Sequence, residues 1–153
     1  MKKEKNTDIH RLLSRYYETW AGINAAYDRI AARCGVTSNV LYLLDTLYCA
    51  EAPMTQSEIG ARLGLPKQTV ASMVSTLERR GYAVREVAKD DHRRRHVLLT
   101  GEGRAYAKPL SETVCAFEQA AFERMEPDER LALVETSEKL QKALNTVLDS
   151  AQN

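Results

Sequence analysis

No stretch of the 153 residues approaches the ~18 uninterrupted apolar side chains that a membrane-spanning helix requires. The opening Met1-Lys-Lys-Glu-Lys5 is charged, and no apolar segment follows it that could act as a secretion signal. Both absences lead to the expectation of a cytoplasmic protein with no membrane among its partners. Cysteine is scarce: Cys34, Cys49 and Cys115 are odd in number and none stands in a CxxC pair. That argues against a disulfide framework and against a zinc knuckle, and leaves reduced thiols as the default. The three histidines, His10, His92 and His96, form no HExxH pattern, and His92 and His96 flank three arginines that would repel a cation. Phosphate contact suits that pair better than a metal. No Ser/His/Asp, Cys/His or phosphate-loop arrangement is present either, so no catalytic residue, no metal ligand and no cofactor is assigned, and the chain is not read as an enzyme.

Net charge is also nearly absent, at +1, yet it is unevenly spread. Residues 62–104 carry ten basic and five acidic side chains, whereas residues 105–153 carry five basic and nine acidic ones. A basic middle with an acidic tail implies one surface that attracts phosphates and ends that are free for other work.

The ends carry narrow apolar seams. Ile9, Leu13, Tyr16, Trp20, Ile23, Tyr27 and Ile30 alternate steps of four and three, a period of ~3.5 residues that describes a long helix packing lengthwise on other helices. Gly35 ends it. Leu133, Leu140 and Val147, with Leu144 between, repeat the pattern in a last helix that begins at Pro127. Such stripes need a partner, which points to a homodimer.

Between the seams the order is helix, turn, helix, β-hairpin. Thr37 is placed to cap a second helix carrying Val40, Leu41, Leu43, Leu44 and Leu47. Thr55-Gln-Ser-Glu58 reads as a capping box opening a short third helix, and Gly64-Leu65 makes a turn. A fourth helix is expected from Pro66 to about Arg80, stopped by Gly81. Tyr82 to Ala88 and His96 to Thr100 read as antiparallel strands around the polar tip Lys89-Asp-Asp-His-Arg-Arg-Arg95. Thr100 caps a fifth helix, in which Pro109 is expected to impose a kink. The fold class is therefore mainly α with a small β-hairpin (α+β). It comprises an N-terminal dimerisation helix over 1–34, a winged helix-turn-helix DNA-binding lobe over 36–100 and C-terminal dimerisation helices over 101–153.

In the fourth helix Val70, Val74 and Leu77 share one stripe, leaving Gln68, Ser72, Ser75 and Arg79 opposite, with Lys67, Thr69 and Thr76 beside them. That outer face is polar, short-chained and almost free of carboxylates, which suits entry into a major groove. Arg93, Arg94 and Arg95 would repel one another in water, but adjacent phosphates or a narrow minor groove offset that repulsion. Either feature alone would be an ordinary solvated surface; together, behind a capped helix and a glycine turn, they are specific.

The runs Leu65-Pro-Lys-Gln-Thr-Val70 and Leu77-Glu-Arg-Arg-Gly-Tyr82, with Asp91-His-Arg93 leading to Leu98-Leu-Thr100, resemble the MarR family of winged-helix regulators. The resemblance extends in layout over nearly the whole chain, and its sharpest element is the Asp-x-Arg six residues before Leu-Thr. It implies a dimer in which the first, fifth and sixth helices interlock, with the fourth helix in the major groove and a wing arginine in the minor groove. Arg93 takes that arginine's place and Asp91 that of the carboxylate orienting it. Three successive arginines stand at this tip, so Arg93, Arg94 and Arg95 are all candidates for the deepest contact.

The implied function is a sequence-specific transcriptional regulator acting on double-stranded DNA at a pseudo-palindromic operator, a repressor released by a small aromatic or anionic effector. Tyr16, Trp20 and Tyr42 are the effector-site candidates, set against the ordinary reading of such a row as core. A redox- or metal-responsive regulator of the same fold is one alternative, and a winged helix used only for protein contacts is another. The family's peroxide-sensing branch places its reactive cysteine early in the first helix, where this chain has none before Cys34, which disfavours that branch.

Overall fold

The computed structural model describes residues 2–87 and 93–151, with side chains from residue 8 onward. The chain runs α1 (Lys2–Arg33), α2 (Ser38–Cys49), β1 (Met54–Thr55), α3 (Gln56–Leu63), α4 (Lys67–Arg79), β2 (Ala83–Val87), β3 (Arg95–Leu99), α5 (Gly101–Glu123) and α6 (Pro127–Ser150). Residues 1–114 form one compact unit and residues 115–153 a second, with the division falling inside α5.

The first unit is built on two cores. Leu43, Leu44 and Leu47 of α2, Ile59 of α3, Val70, Val74 and Leu77 of α4, Ala83 of β2, Val97 of β3 and Ala107 of α5 are buried together. The stripe expected on the fourth helix is therefore the face that fixes its roll, with Val70 and Val74 fully buried. Each such side chain contributes about 1.5–3 kcal/mol relative to exposure, so rotating α4 to present another face would be costly. A smaller cluster joins Ala31 of α1, Leu41 of α2, and Leu110 and Val114 of α5. Tyr106 packs against both clusters and stacks on Tyr82, with ring centroids 4.5 Å apart.

Caps and turns set the element boundaries. The Thr55 hydroxyl accepts from the Glu58 backbone N–H at 3.3 Å, while the Glu58 carboxylate accepts from the Thr55 N–H at 2.7 Å, completing the capping box. Gly64 closes α3 in the left-handed conformation (φ 63°), a region that disfavours any side chain, and so turns the chain into α4. Thr100 accepts from the Gly103 N–H at 2.9 Å at the start of α5.

Several details differ from the sequence reading. Thr37 stands at the N-cap of α2 without a side-chain cap bond; the neighbouring Ser38 hydroxyl instead donates to Asp28 of α1. Pro66 is the N-cap of α4, one position before its first helical residue. The strands run 83–87 and 95–99, paired from Ala83 with Leu99 to Val87 with Arg95. A third strand, β1, pairs with the outer side of β3 through Met54 with Val97 and Thr55 with His96, giving the sheet order β1-β3-β2. It ties the first residue of the capping box to the hairpin.

Candidate nucleic-acid interface

The outer face of α4 is built by subtraction. Once Val70, Val74 and Leu77 are buried, Lys67, Gln68, Ser72, Thr76 and Arg79 are left exposed, and Thr69 is half-buried at the edge. Arg79 donates to the Thr76 hydroxyl at 3.0 Å, and that hydroxyl donates to the Ser72 carbonyl at 3.0 Å, so these side chains lie as one row along the helix. Ser75 is different. It is half-buried, and its hydroxyl accepts from Arg85 Nη2 at 3.0 Å, which places it at the joint with the sheet.

Arg85 is the residue that the sequence reading passed over. Its guanidinium pairs with the carboxylate of Glu78 and donates to the Ala71 carbonyl at 3.3 Å. The Gln56 carboxamide oxygen, turned to face it, accepts from Arg85 Nε at 2.7 Å and Nη2 at 2.8 Å. Glu78 is the only carboxylate of α4, and Arg85 offsets its charge from the side of the sheet. A signal for Arg85 does exist in the sequence. It shares strand parity with buried Ala83, and a charged side chain on the inward face of a strand requires partners.

The hairpin supplies the basic side. Arg93, Arg94 and Arg95 are all exposed, and Arg94 Nη2 lies 3.0 Å from Glu58 Oε1 at the start of α3. With Lys67 and Arg85 they border an open cleft of about 640 Å³, in which Glu58 is the one carboxylate among the described residues. The backbone N–H of Thr55 lowers the Glu58 pKa below its ordinary value, helped by the Thr55 hydroxyl and by the charges of Arg94 and His96. Glu58 thus stays ionised and already committed to protein donors. Asp91, the expected orienting carboxylate, and His92 lie outside the described residues, so the structure neither places nor moves them.

The aromatic residues fall in two groups. Tyr16 meets Trp20 edge-on at 5.8 Å on α1, both of them exposed, whereas Tyr42 of α2 meets Tyr27 at 5.5 Å. The three thiols form no disulfide: Cys34 is half-buried, Cys115 exposed, and Cys49 lies 3.6 Å from an Asp45 oxygen and 3.5 Å from the Ser111 hydroxyl.

A family model described as MarR family matches residues 35–94, the segment from the end of α1 to the hairpin tip. Over 131 residues the chain is 26% identical to the HTH-type transcriptional regulator YkoM of Bacillus subtilis strain 168, covering 86% of this chain and 82% of that protein. Among solved structures it is similar to a MarR family regulator from Neisseria meningitidis, with a TM-score of 0.80 and 27% identity over 91% of this chain and 97% of the other. It is similar also to reduced AbfR bound to DNA, with a TM-score of 0.67 and 26% identity over 94% of this chain and 99% of the other; AbfR comes from Staphylococcus epidermidis. The order of elements, the buried stripe of α4 and the basic hairpin agree with these likenesses, which together support a MarR-family winged helix-turn-helix transcriptional regulator.

Proposed function

We propose that two copies of this chain, in the cytoplasm, grip one pseudo-palindromic duplex and regulate the adjoining gene. Lys67, Gln68, Thr69, Ser72, Thr76 and Arg79 meet the major groove, and Arg93, Arg94 and Arg95 reach phosphates and the flanking minor groove. The observation that carries this reading is the pairing of a polar α4 face with a cluster of exposed arginines beside it. Short polar side chains can read base edges, and arginines favour the negative potential of a narrow groove. AbfR, similar along nearly the whole chain, is bound to DNA in its solved structure, which supports the same use here. Arg93 stands at the turn and takes the place of the wing arginine in the Asp-x-Arg pattern, so it is the arginine assigned the deepest contact. Repression is released by a small aromatic or anionic effector, for which the exposed Tyr16 and Trp20 pair, with Tyr42, is the proposed contact.

The test is selection of duplexes from a random pool by the purified protein, followed by hydroxyl-radical footprinting. Two half-sites spaced about 10 base pairs centre to centre are expected, because related recognition helices meet successive major grooves ~34 Å apart. A single asymmetric half-site as the whole high-affinity target, or no enrichment at all, would contradict the proposal.

A further inference from the structure

Arg85 ties β2 to both helices of the helix-turn-helix. It projects from the middle of β2 and binds three groups along one edge of α4: the Ala71 carbonyl, the Ser75 hydroxyl and the Glu78 carboxylate. It also meets the Gln56 carboxamide of α3. Those α4 positions span two helical turns on the side adjoining the exposed row of Gln68, Ser72, Thr76 and Arg79. A planar guanidinium shared among these acceptors ties β2 to α3 and α4 at a set angle.

We infer that Arg85 is the positioning residue of the DNA interface, setting the hairpin against α4 without itself touching DNA. The inference rests on the DNA-binding reading above. Its side chain is only 24% exposed, and Nε, Nη1 and Nη2 each already donate to a protein acceptor with which a phosphate would have to compete. Acting through the hairpin, Arg85 matters to DNA only as far as Arg93 does, so its contribution and that of Arg93 are one contribution.

The experiment is a double-mutant cycle on the full-length protein, with a duplex enriched by the wild type from a random pool and a scrambled duplex as probes. Arg85→Met is expected to weaken binding to the enriched duplex by about tenfold or more, the scale of losing hydrogen bonds to charged groups. Arg93→Ala in that background should weaken it little further, because a hairpin no longer held in place has already lost the arginine's contact. Arg85→Lys keeps the charge but cannot make the forked contacts, so it should behave as Arg85→Met does. It also carries the test if the methionine variant fails to fold. Thermal midpoints and gel-filtration profiles are recorded alongside.

Losses from Arg85→Met and Arg93→Ala that multiply would overturn the inference, showing that Arg85 contacts DNA independently. Rescue by lysine would overturn it as well, since charge alone would then suffice. So would a lowered thermal midpoint with unchanged binding at low temperature, which would leave Arg85 a purely structural role. A wild type that enriches no duplex removes the DNA-binding reading and this inference together, whereas the other outcomes remove the inference alone.

Discussion

Two carboxylates, Glu58 and Glu78, lie beside the surface assigned to DNA, and each is met by an arginine from the hairpin that follows. For Glu58 the pairing has a pH signature. Its folded pKa is depressed, so the stability it contributes is present above the unfolded value and is lost as pH falls through the folded one. Between neutrality and about pH 5 nothing should change, since the ordinary glutamate value lies near 4.3. Below that, the thermal midpoint of the wild type should fall more steeply than that of Glu58→Gln, which has no proton to gain. Parallel midpoint-versus-pH curves for the two proteins would refute the assignment. Gln68 makes a different kind of contribution, exposed on α4 with no structural duty visible in its surroundings. Gln68→Ala should cost roughly 1–3 kcal/mol on the preferred duplex and relax base choice at one position, with little effect on scrambled DNA. Competition binding with the two duplexes checks it, and equal losses on both would assign Gln68 to the phosphates.

At the scale of elements, the sheet and α5 meet in a close junction. Thr100 donates its hydroxyl to the Gly81 carbonyl at 2.6 Å and its N–H to the Tyr82 carbonyl at 3.1 Å, drawing the end of β3 onto the turn after α4. A Cβ at Gly103 would stand 1.8 Å from the Tyr82 carbonyl oxygen. Alanine gains about 0.8–1 kcal/mol over glycine inside a helix, but a backbone clash of this depth outweighs that gain. Gly103→Ala should therefore destabilise the fold by about 1–3 kcal/mol, measured by chemical denaturation. A stabilised variant would mean that α5 can move away from this junction freely.

Much of this architecture is legible in the sequence because its signals are local. The Thr55 to Glu58 capping box, the Gly64 turn and the Val70, Val74, Leu77 stripe each appear within a few residues and recur in the structure. β1 was not legible, since two residues cannot show alternation and Met54-Thr55 becomes a strand only by meeting His96 and Val97. Arg85 left one local signal, its parity with buried Ala83, but what it binds did not show. Its partners Gln56, Ala71, Ser75 and Glu78 lie 7 to 29 positions away and converge only after folding. Thr37 shows the opposite failure, a good capping residue whose side chain makes no cap bond.

For the whole molecule, the unsatisfied apolar surface is the main fact. On α1 of the first unit Ile9, Leu13, Tyr16, Trp20 and Ile23 are exposed, Trp20 by 56%. In the second unit α6 has no buried residue, and Leu133, Leu140, Leu144 and Val147 are exposed along it. These are the seams whose ~3.5-residue period asks for helical partners, and a second copy of the chain is the partner proposed. Deleting residues 133–153 should yield monomeric or aggregated protein with poor DNA binding, as read by gel filtration with light scattering. A truncated chain that stayed a soluble, tight-binding dimer would defeat that reading.

In the proposed interface α4 reads sequence while the hairpin supplies charge, and salt titration of binding separates the two. Affinities of wild type, Gln68→Ala and Arg93→Ala are measured on the enriched and scrambled duplexes across ionic strength. Specific binding by the wild type is expected to be at least about 10³-fold tighter than non-specific binding. A salt slope lowered by about one unit is expected in Arg93→Ala on both duplexes, and an unchanged slope with lost discrimination in Gln68→Ala. Wild-type binding that does not distinguish the duplexes, or an Arg93→Ala slope identical to wild type, would contradict the proposed interface.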